Sequence, residues 1–586
     1  MSRTLTLQTP ELVGQEVTLN GWVNTIRDHG KVVFIELRDR SGKVQVVGDS
    51  KLGKVHPEDV LEIHGLVAKR PDNMINPNLP TGEVEVQVKG FQIINKSKEL
   101  PFPIDTSGHE IAEELRLKYR YLDLRRPRLN AYMKLRSKVA QFLRNELIAQ
   151  DFVETETPML TKTTPEGARD FLVPSRLQPG KFYALPQSPQ QYKQMLMVAG
   201  LERYFQFARC FRDEDARADR AYGEFTQLDI EMSFVTQEDI LQLIEAIFTK
   251  MVETLFPDKH ISQSPWPRLS HHEVMEKYGT DKPDLRQNKN DPNELAFAWT
   301  LDFPLFTEQS EDDFFHGSGS AKFAPSHHMF TAPHPDDIPL LDTDPTKVRG
   351  LQHDLVLNGY EVGGGSIRIH QPEIQQKIFD LIGFSKAQSQ QFEHLLTAFQ
   401  YGVPPHGGIA PGFDRLLMVI LGEPNLREVM AFPCATSGIT AVVNAPSQAT
   451  DEQLKELGVQ VRSMGSKPAG SIFEQIKNYL ETEKVAFEIF EHEPVFTCEQ
   501  AIAISKTKPE ENAKALLLEA DGQAIMTVLS ADKKLDLKAL RQITGKKDVS
   551  IGSKELLKKA TGLEPGSVPP FGSLWKLPTY LEEGFS

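Results

Sequence analysis

Cysteine is almost absent from this chain. Its three copies in 586 residues, Cys210, Cys434 and Cys498, form no CxxC pair and no His/Cys cluster, which excludes a disulfide framework and argues against structural zinc. Long hydrophobic runs are missing as well. No window approaches the roughly 18 consecutive apolar residues of a membrane span, and no basic region followed by an apolar stretch opens the chain. No membrane partner is expected, and the cytoplasm is the expected compartment. Positive charge is in deficit, with 66 Lys+Arg against 81 Asp+Glu and a net charge of -15. Bulk attraction therefore cannot bring nucleic acid here, and any such contact must rest on local basic surface. Two segments supply it: residues 1–100 balance 13 basic against 13 acidic side chains, and residues 113–140 carry nine basic against three acidic.

What is present is a multidomain chain, too long for one hydrophobic core and suited to three or four domains. Residues 1–105 alternate apolar and polar positions in five runs, VTLNGWV, KVVFIELRD, GKVQVVGD, DVLEIHGLVAK and GEVEVQVKGFQII, the pattern of a small closed barrel of the OB-fold kind. Such barrels hold single-stranded nucleic acid by stacking bases on aromatics beside cations. Phe34 and Arg27 are the candidates, with Gln45 as an amide reader; on pattern alone Phe34 suits a core position equally well. Residues 106–133 read as a basic, partly solvated hinge. Beyond it Leu135, Val139, Phe142, Leu143 and Leu147 recur at helical spacing, before a β-rich stretch ending in ETPML around Pro158.

The chemistry concentrates between Phe211 and Glu231, FRDEDARADRAYGEFTQLDIE. Two predicted strands, 204–211 and 225–234, enclose its charged tip, and Arg212 leaves the first strand where a rigid guanidinium fork suits a phosphate or carboxylate. Ser188-Pro189 opens a helix that places Lys193 one turn in. Residues 235–265 are helical by pattern, with TQED as a capping box. Asp354 and Glu361 lie seven apart on what reads as one strand, so they would face opposite ways unless a bulge intervenes, and the GGGS run that follows allows one. Taken alone, Arg368 reads as a surface arginine. A glycine-rich turn opens a helix near Phe413, yet the stretch contains no GxxxxGK[ST], so it is not a P-loop.

FRDED followed by RADR and EFTQ resembles motif 2 of the class II aminoacyl-tRNA synthetases, in the form carried by bacterial aspartyl-tRNA synthetases. The helix, strand and Pro158 resemble motif 1, the dimer element, and GFDR at 412–415 resembles motif 3. TPEGARD, QSPQQYKQ and the barrel stretch GWVNTIRDHGKVVFIELRDRSGKVQVV are similar too. The resemblance implies a homodimer that activates L-aspartate with ATP and Mg²⁺ to aspartyl-adenylate, then transfers it to tRNA(Asp). It implies Arg212, Glu214, Phe225, Glu361 and Arg415 around ATP, with Arg212, Arg415 and Glu361 carrying catalysis and Asp354 and Glu361 holding Mg²⁺. The aspartate pocket would comprise Glu166, Ser188, Gln190, Lys193, Gln227, Asp229, His327, His328 and Arg368. Lys193 and Arg368 would grip the substrate's side-chain carboxylate, so an amide would leave two buried cations half paired; this argues against the asparaginyl type. In the barrel Phe34 would stack on an anticodon base and Arg27 and Gln45 read its neighbours. His29 occupies a position where relaxed enzymes, which also charge tRNA(Asn), often have His and strict ones Leu. A catalytically silent tRNA-binding paralogue is the alternative; it would have a broken phosphate or magnesium site, whereas Arg212, Asp354, Glu361 and Arg415 are all present.

Three features depart from that family. Its inserted domain of about a hundred residues is replaced by a short linker, QNKNDPNE. RADRAYGEFTQ is one residue longer than the usual RADRQPEFTQ. Pro411 stands where Phe or another apolar residue is usual. Beyond a linker at 449–469, residues 470–586 resemble the YbaK/ProX aminoacyl-tRNA deacylases, which implies Lys514 at the tRNA terminus and a Gly566–Pro570 loop around the aminoacyl group. The sequence stops at Ser586, short of that family's last elements, so a tRNA-binding or vestigial appendage is expected rather than an active editor. The expected architecture is an OB-fold barrel (1–105), a basic hinge (106–133), an α+β class II catalytic domain on an antiparallel sheet (134–448) and a C-terminal α/β domain.

Overall fold

Period-two alternation closes the strands Glu16–Asp28, Val33–Arg38, Lys43–Gly48, Val60–Lys69 and Val84–Asn95 into a barrel, in the order first, second, third, fifth, fourth. The computed structural model describes residues 3–163, 167–309, 322–461, 472–489, 508–563 and 568–582, in two units, 1–459 and 460–586. Val33, Ile35 and Leu37 point into the barrel core with Val44, Val46 and Ile63. Phe34, between them, faces outward, so its core reading is overturned by the pleat itself.

Residues 106–133 correct the expectation of a solvated hinge. Arg116, Arg120 and Arg126 are 4%, 2% and 0% exposed, and all three converge on the fully buried Asp123. Their donors lie 3.1, 2.7 and 2.6 Å from its oxygens, and Arg116 also forks onto Glu428 at 2.8 and 2.9 Å. Arg116 lies on helix Glu113–Lys118, Arg120 and Asp123 on the short helix Arg120–Asp123, and Arg126 just before helix Pro127–Ile148, so the compact turns between these helices bring the four together. Burial of so many charges is tolerated because each is hydrogen-bonded to an opposite one. The hinge also ends early, since helix Pro127–Ile148 starts inside it.

The central sheet of the first unit has eight strands, in the order Arg268–Ser270, Phe297–Leu301, Gln352–Leu357, Tyr360–Ile367, His406–Pro411, Gly223–Ser233, Arg203–Arg212, Val153–Glu154. Its six inner strands are antiparallel, as expected; the two outermost pairings are parallel. Helices Gln237–Leu255 and Phe413–Leu421 bury Ile240, Ile244, Phe248, Leu416 and Ile420 in the core beneath it. Thr236 and Asp239 form the anticipated capping box, but the helix stops at Leu255 rather than 265, because Pro257 bars the residue before it from helical geometry. The short linker is folded: Glu294 accepts the N–H groups of Gln287 and Asn288 at 2.7 and 2.8 Å.

Helix Asp451–Leu457 occupies part of the stretch expected to be a linker. The second unit contains helix Ile472–Thr482 and a sheet ordered Val549–Ile551, Ala513–Ala520, Gln523–Ser530, Thr579–Leu581, packed through Leu518, Ile525 and Leu540. Among the described residues no helix is long and apolar enough to cross a membrane.

Candidate active site

One cleft of about 390 Å³ opens on the central sheet, and it gathers Ser188, Gln190, Lys193, Arg212, Glu214, Phe225, Gln227, Asp229, His327, His328, Glu361, Arg368 and Arg415. Strands Arg203–Arg212 and Gly223–Ser233 pair from Gly223 opposite Arg212 to Met232 opposite Arg203, so the charged hairpin forms as the sequence suggested. Helix Gln190–Val198 presents Lys193 from one side, and Arg415 enters at the start of helix Phe413–Leu421.

The cleft's cations fall into two classes. Arg212 lies over the Phe225 ring at 5.1 Å and commits one donor, to Gln187 O at 3.4 Å. Arg415 donates to Asp219 O and Glu361 O at 2.9 and 2.7 Å. Each keeps further N–H groups for an anion. Lys193 and Arg368 are different: both are 2% exposed and already paired. Lys193 Nζ lies 2.5 Å from Asp229 and 3.2 Å from Glu231. Arg368 Nε donates to Glu231 Oε1 at 3.0 Å, and its Nη1 contacts Ser366 Oγ and His328 Nε2, both at 2.6 Å. Arg368 is therefore not a surface residue. Asp229 and Glu231 already compensate the two charges, so a substrate carboxylate would join an existing ion-pair network rather than meet bare cations. Burial opposes ionisation of Glu231, but Arg368 and Lys193 outweigh it and hold the carboxyl at about 2. At Asp229 burial prevails over Lys193 and the pKa rises.

Polar atoms without partners mark the floor. Gln190 Nε2, Asp229 Oδ2 and His327 Nδ1 are buried and accept or donate no hydrogen bond among the described residues; the Tyr204 hydroxyl beside Asp229 donates instead to Gln206 at 2.9 Å. Orphaned buried polar atoms are rare and each calls for a cause. Burial, then Arg368, pushes His327 down to about 3, so it is neutral. His328 is neutral too, for burial and the neighbouring His327 lower it. A neutral imidazole has one acceptor nitrogen, yet His328 faces Arg368 Nη1 at Nε2 and the Phe330 N–H at Nδ1, 3.1 Å away. Only one of these contacts can be a hydrogen bond.

Asp354 and Glu361 do not share a strand. Asn358 and Gly359, with φ of 51° and 86°, turn Gln352–Leu357 back into Tyr360–Ile367, the type I′ behaviour of an Asn-Gly pair. The anticipated bulge does occur: Leu355 faces Gly363 while Val356 faces Glu361. Through it the two carboxylates meet. A Cβ on Gly364 would lie 3.3 Å from Asp354 Oδ1, 3.5 Å from Glu361 Oε1 and 3.6 Å from His327 Nε2. Burial, reinforced by Glu361, pushes the Asp354 carboxyl well above its ordinary range.

On the barrel, Arg27 pairs with Phe34 across strands, and His29 meets the Phe34 ring edge-on at 5.8 Å. Arg27 donates to Gln45 Oε1 at 3.3 Å, and Gln45 Nε2 donates to Glu85 at 3.0 Å. In the second unit Lys514 donates to the carbonyls of Ala531 and Lys533, and Pro570 is half-buried. Glu166 and Gly566 lie outside the described residues. Sequence reasoning missed Glu231 and Glu85. Alternation could have found Glu231, which shares a strand face with Asp229 two residues earlier.

Comparison with known proteins gives a consistent picture. Residues 112–436 match the family model of tRNA synthetases class II (D, K and N), residues 17–94 that of the OB-fold nucleic acid binding domain, and residues 492–585 that of the aminoacyl-tRNA editing domain. The chain is 41% identical over 580 residues to an aspartate--tRNA(Asp/Asn) ligase of Rubrobacter xylanophilus, covering 77% of this chain and 95% of the relative. It is 39% identical over 584 residues to an aspartate--tRNA ligase of Lysinibacillus sphaericus, covering 77% and 97%. Because 77% of 586 residues is about 450, the 580-residue alignment leaves about 130 positions of the Rubrobacter comparison without a counterpart here, in keeping with the missing insertion. Among solved structures, a putative aspartyl-tRNA synthetase from Leishmania major shares the fold with a TM-score of 0.58 at 22% identity, over 74% of this chain and 94% of that one. An asparaginyl-tRNA synthetase from Pyrococcus horikoshii complexed with asparaginyl-adenylate does so with 0.58 at 24%, over 74% and 98%.

Proposed function

This chain belongs to the class II tRNA synthetases (D, K and N), and on that premise we propose that it activates L-aspartate with ATP and esterifies it to tRNA(Asp) and tRNA(Asn). The observation that carries the reading is the set of partnerless buried atoms at the cleft floor. Asp229 Oδ2 offers an acceptor for an ammonium, and Gln190 Nε2 a donor for a carboxylate, beside the Lys193–Arg368 lattice that suits an acidic side chain.

Chemistry needs no protein nucleophile, because the substrate's α-carboxylate is already ionised and the protein's part is positioning and charge stabilisation. Arg212, with donors left over, holds the α-phosphate and the attacking carboxylate. Arg415 takes the γ-phosphate, and adenine stacks on Phe225. In-line attack at the α-phosphorus gives aspartyl-adenylate and pyrophosphate, after which a terminal ribose hydroxyl of tRNA accepts the aspartyl group. Mg²⁺ fits the Asp354–Glu361 pair, since a buried and a half-buried carboxylate around the space left by Gly364 repel each other without a cation. Bound there, it would neutralise phosphate charge. Arg368 Nη1, whose contact with His328 is over-subscribed, is the donor most easily turned to a substrate carboxylate.

The relaxed tRNA choice rests on His29 beside Phe34. Dimerisation through motif 1 accounts for the exposure of Val153, Met159 and Leu160, which are 45%, 37% and 52% exposed. The second unit acts as a tRNA-holding appendage rather than a hydrolase, a reading supported by Lys514, whose ammonium is engaged by two backbone carbonyls; release of aspartate from purified aspartyl-tRNA by the whole protein would contradict it. The protein works in the cytoplasm with the rest of translation. Aspartate-dependent ATP–pyrophosphate exchange tests the core of the proposal, and exchange supported equally by asparagine would overturn it.

A further inference from the structure

The motif 2 loop is one residue longer than its usual form, and Tyr222 fills that segment. Half-buried, it donates its hydroxyl to Asp213 Oδ1 at 3.0 Å. Its ring meets Phe171 edge-on, with centroids 6.2 Å apart and planes at 89°. A Cβ on Gly438 would come within 3.0 Å of the ring, so the turn at Ala435–Gly438 is seated directly on it. The motif 2 loop, the stretch ending at Phe171 and the turn at Ala435–Gly438 thus meet at one side chain.

The stretch that matters most runs from Gly167 to Phe171. Gly167 and Ala168 line the cleft beside Ser188 and Lys193. Gln187 holds one end, exchanging hydrogen bonds with the Ala168 N–H and carbonyl at 3.0 and 2.8 Å. The Asp213 N–H binds Arg169 O at 3.1 Å, and Phe171 at the other end rests on Tyr222. Asp213 in turn is fixed by the Tyr222 hydroxyl, so one residue secures both the side chain and the backbone on which this loop leans.

We propose that Tyr222 is a positioning residue for the amino-acid subsite: it clasps residues 167–171 against motif 2 and thereby sets affinity for the amino acid, with little influence on the ATP side. This rests on the aspartate-activating reading given above. Tyr222 makes no hydrogen bond or ring contact with Phe225 or Arg415, and its one link to the nucleotide side is Asp213, the neighbour of Arg212, whose guanidinium is held separately by Gln187 O and the Phe225 ring; loosening the clasp therefore acts first on the amino-acid side.

The test is pyrophosphate-exchange kinetics of the full chain with Tyr222→Ala and Tyr222→Phe, alongside hydrogen exchange of the 167–171 amides. Tyr222→Ala raises the aspartate KM about tenfold and leaves the ATP KM and kcat within about threefold, while Tyr222→Phe, which keeps the ring, changes the aspartate KM by only about twofold. Amides 167–171 exchange faster in the alanine variant than in the phenylalanine one. An unchanged aspartate KM in Tyr222→Ala, or a common fall in kcat with both KM values unmoved, overturns the proposal. If Tyr222→Ala does not fold, Tyr222→Leu carries the same comparison. A wild-type protein silent in exchange sinks the functional reading instead, and the amide exchange then decides the clasp by itself: equal protection in wild type and variant refutes it.

Discussion

Replacing Arg212 with alanine separates catalysis from folding. The side chain makes one long hydrogen bond, to Gln187 O, and lies over Phe225. Its loss therefore costs stability about 1 kcal/mol, a fall of a few degrees at most in melting temperature. The transition state is another matter. A preorganised donor aimed at developing charge contributes about 3 to 4 kcal/mol, two to three orders of magnitude in rate, and Arg212 is the cleft arginine with the most uncommitted donors. Aspartate-dependent pyrophosphate exchange by Arg212→Ala is thus expected to drop by about 10² to 10³-fold while circular dichroism and melting stay near wild type. Arg212→Lys keeps the charge but loses the fork, and falls between the two. Exchange by Arg212→Ala within about threefold of wild type, in a folded protein, would remove Arg212 from the mechanism and with it the assignment of the phosphate side.

Glu231→Gln strips a carboxylate that two buried cations share, so it should lower melting temperature and raise the aspartate KM, by the several kcal/mol typical of a broken buried pair. Glu231 titrates at about 2 in the folded protein against an ordinary 4.5; a depressed carboxylate stabilises above its unfolded value, and that contribution fades as pH falls from roughly 4.5 towards 2. The glutamine variant should therefore show a flatter acid limb in melting temperature against pH, and an unchanged limb would contradict the pairing. Phe34→Ala should raise the tRNA KM by about tenfold or more, as the loss of one stacked base implies, without touching pyrophosphate exchange; a change in exchange would show that the barrel acts on activation. MgCl₂ should raise the melting temperature of the wild type by more than that of Asp354→Asn, and equal shifts would place the cation elsewhere.

Much of this site was legible because its residues sit in contiguous runs. The spacing in QSPQQYKQ, FRDEDARADRAYGEFTQLDIE and GFDR placed Lys193, Arg212, Phe225, Asp229 and Arg415 on their strands and helices, and the fold brings them to one cleft. Pairings between distant segments were not legible. Arg116 finds Glu428 across 312 residues and Arg368 finds Glu231 across 137, distances over which no local periodicity carries information. Hence the buried arginine cluster passed for a solvated hinge, and Arg368, without the family resemblance that put it in the aspartate pocket, read as a surface residue. The Asp354–Glu361 turn is a different failure: Asn358-Gly359 announces a hairpin, but the apolar run on both sides masked it as one strand. The bulge, inferred from the need to bring two carboxylates together, survives in the hairpin that replaced it.

Aspartylation of purified transcripts of tRNA(Asp) and tRNA(Asn), anticodons GUC and GUU, by the wild-type protein with ATP and aspartate tests the account most directly. It predicts comparable charging of both. Charging of GUC alone would leave the synthetase intact but make His29 a bystander, and charging of neither would contradict the central claim.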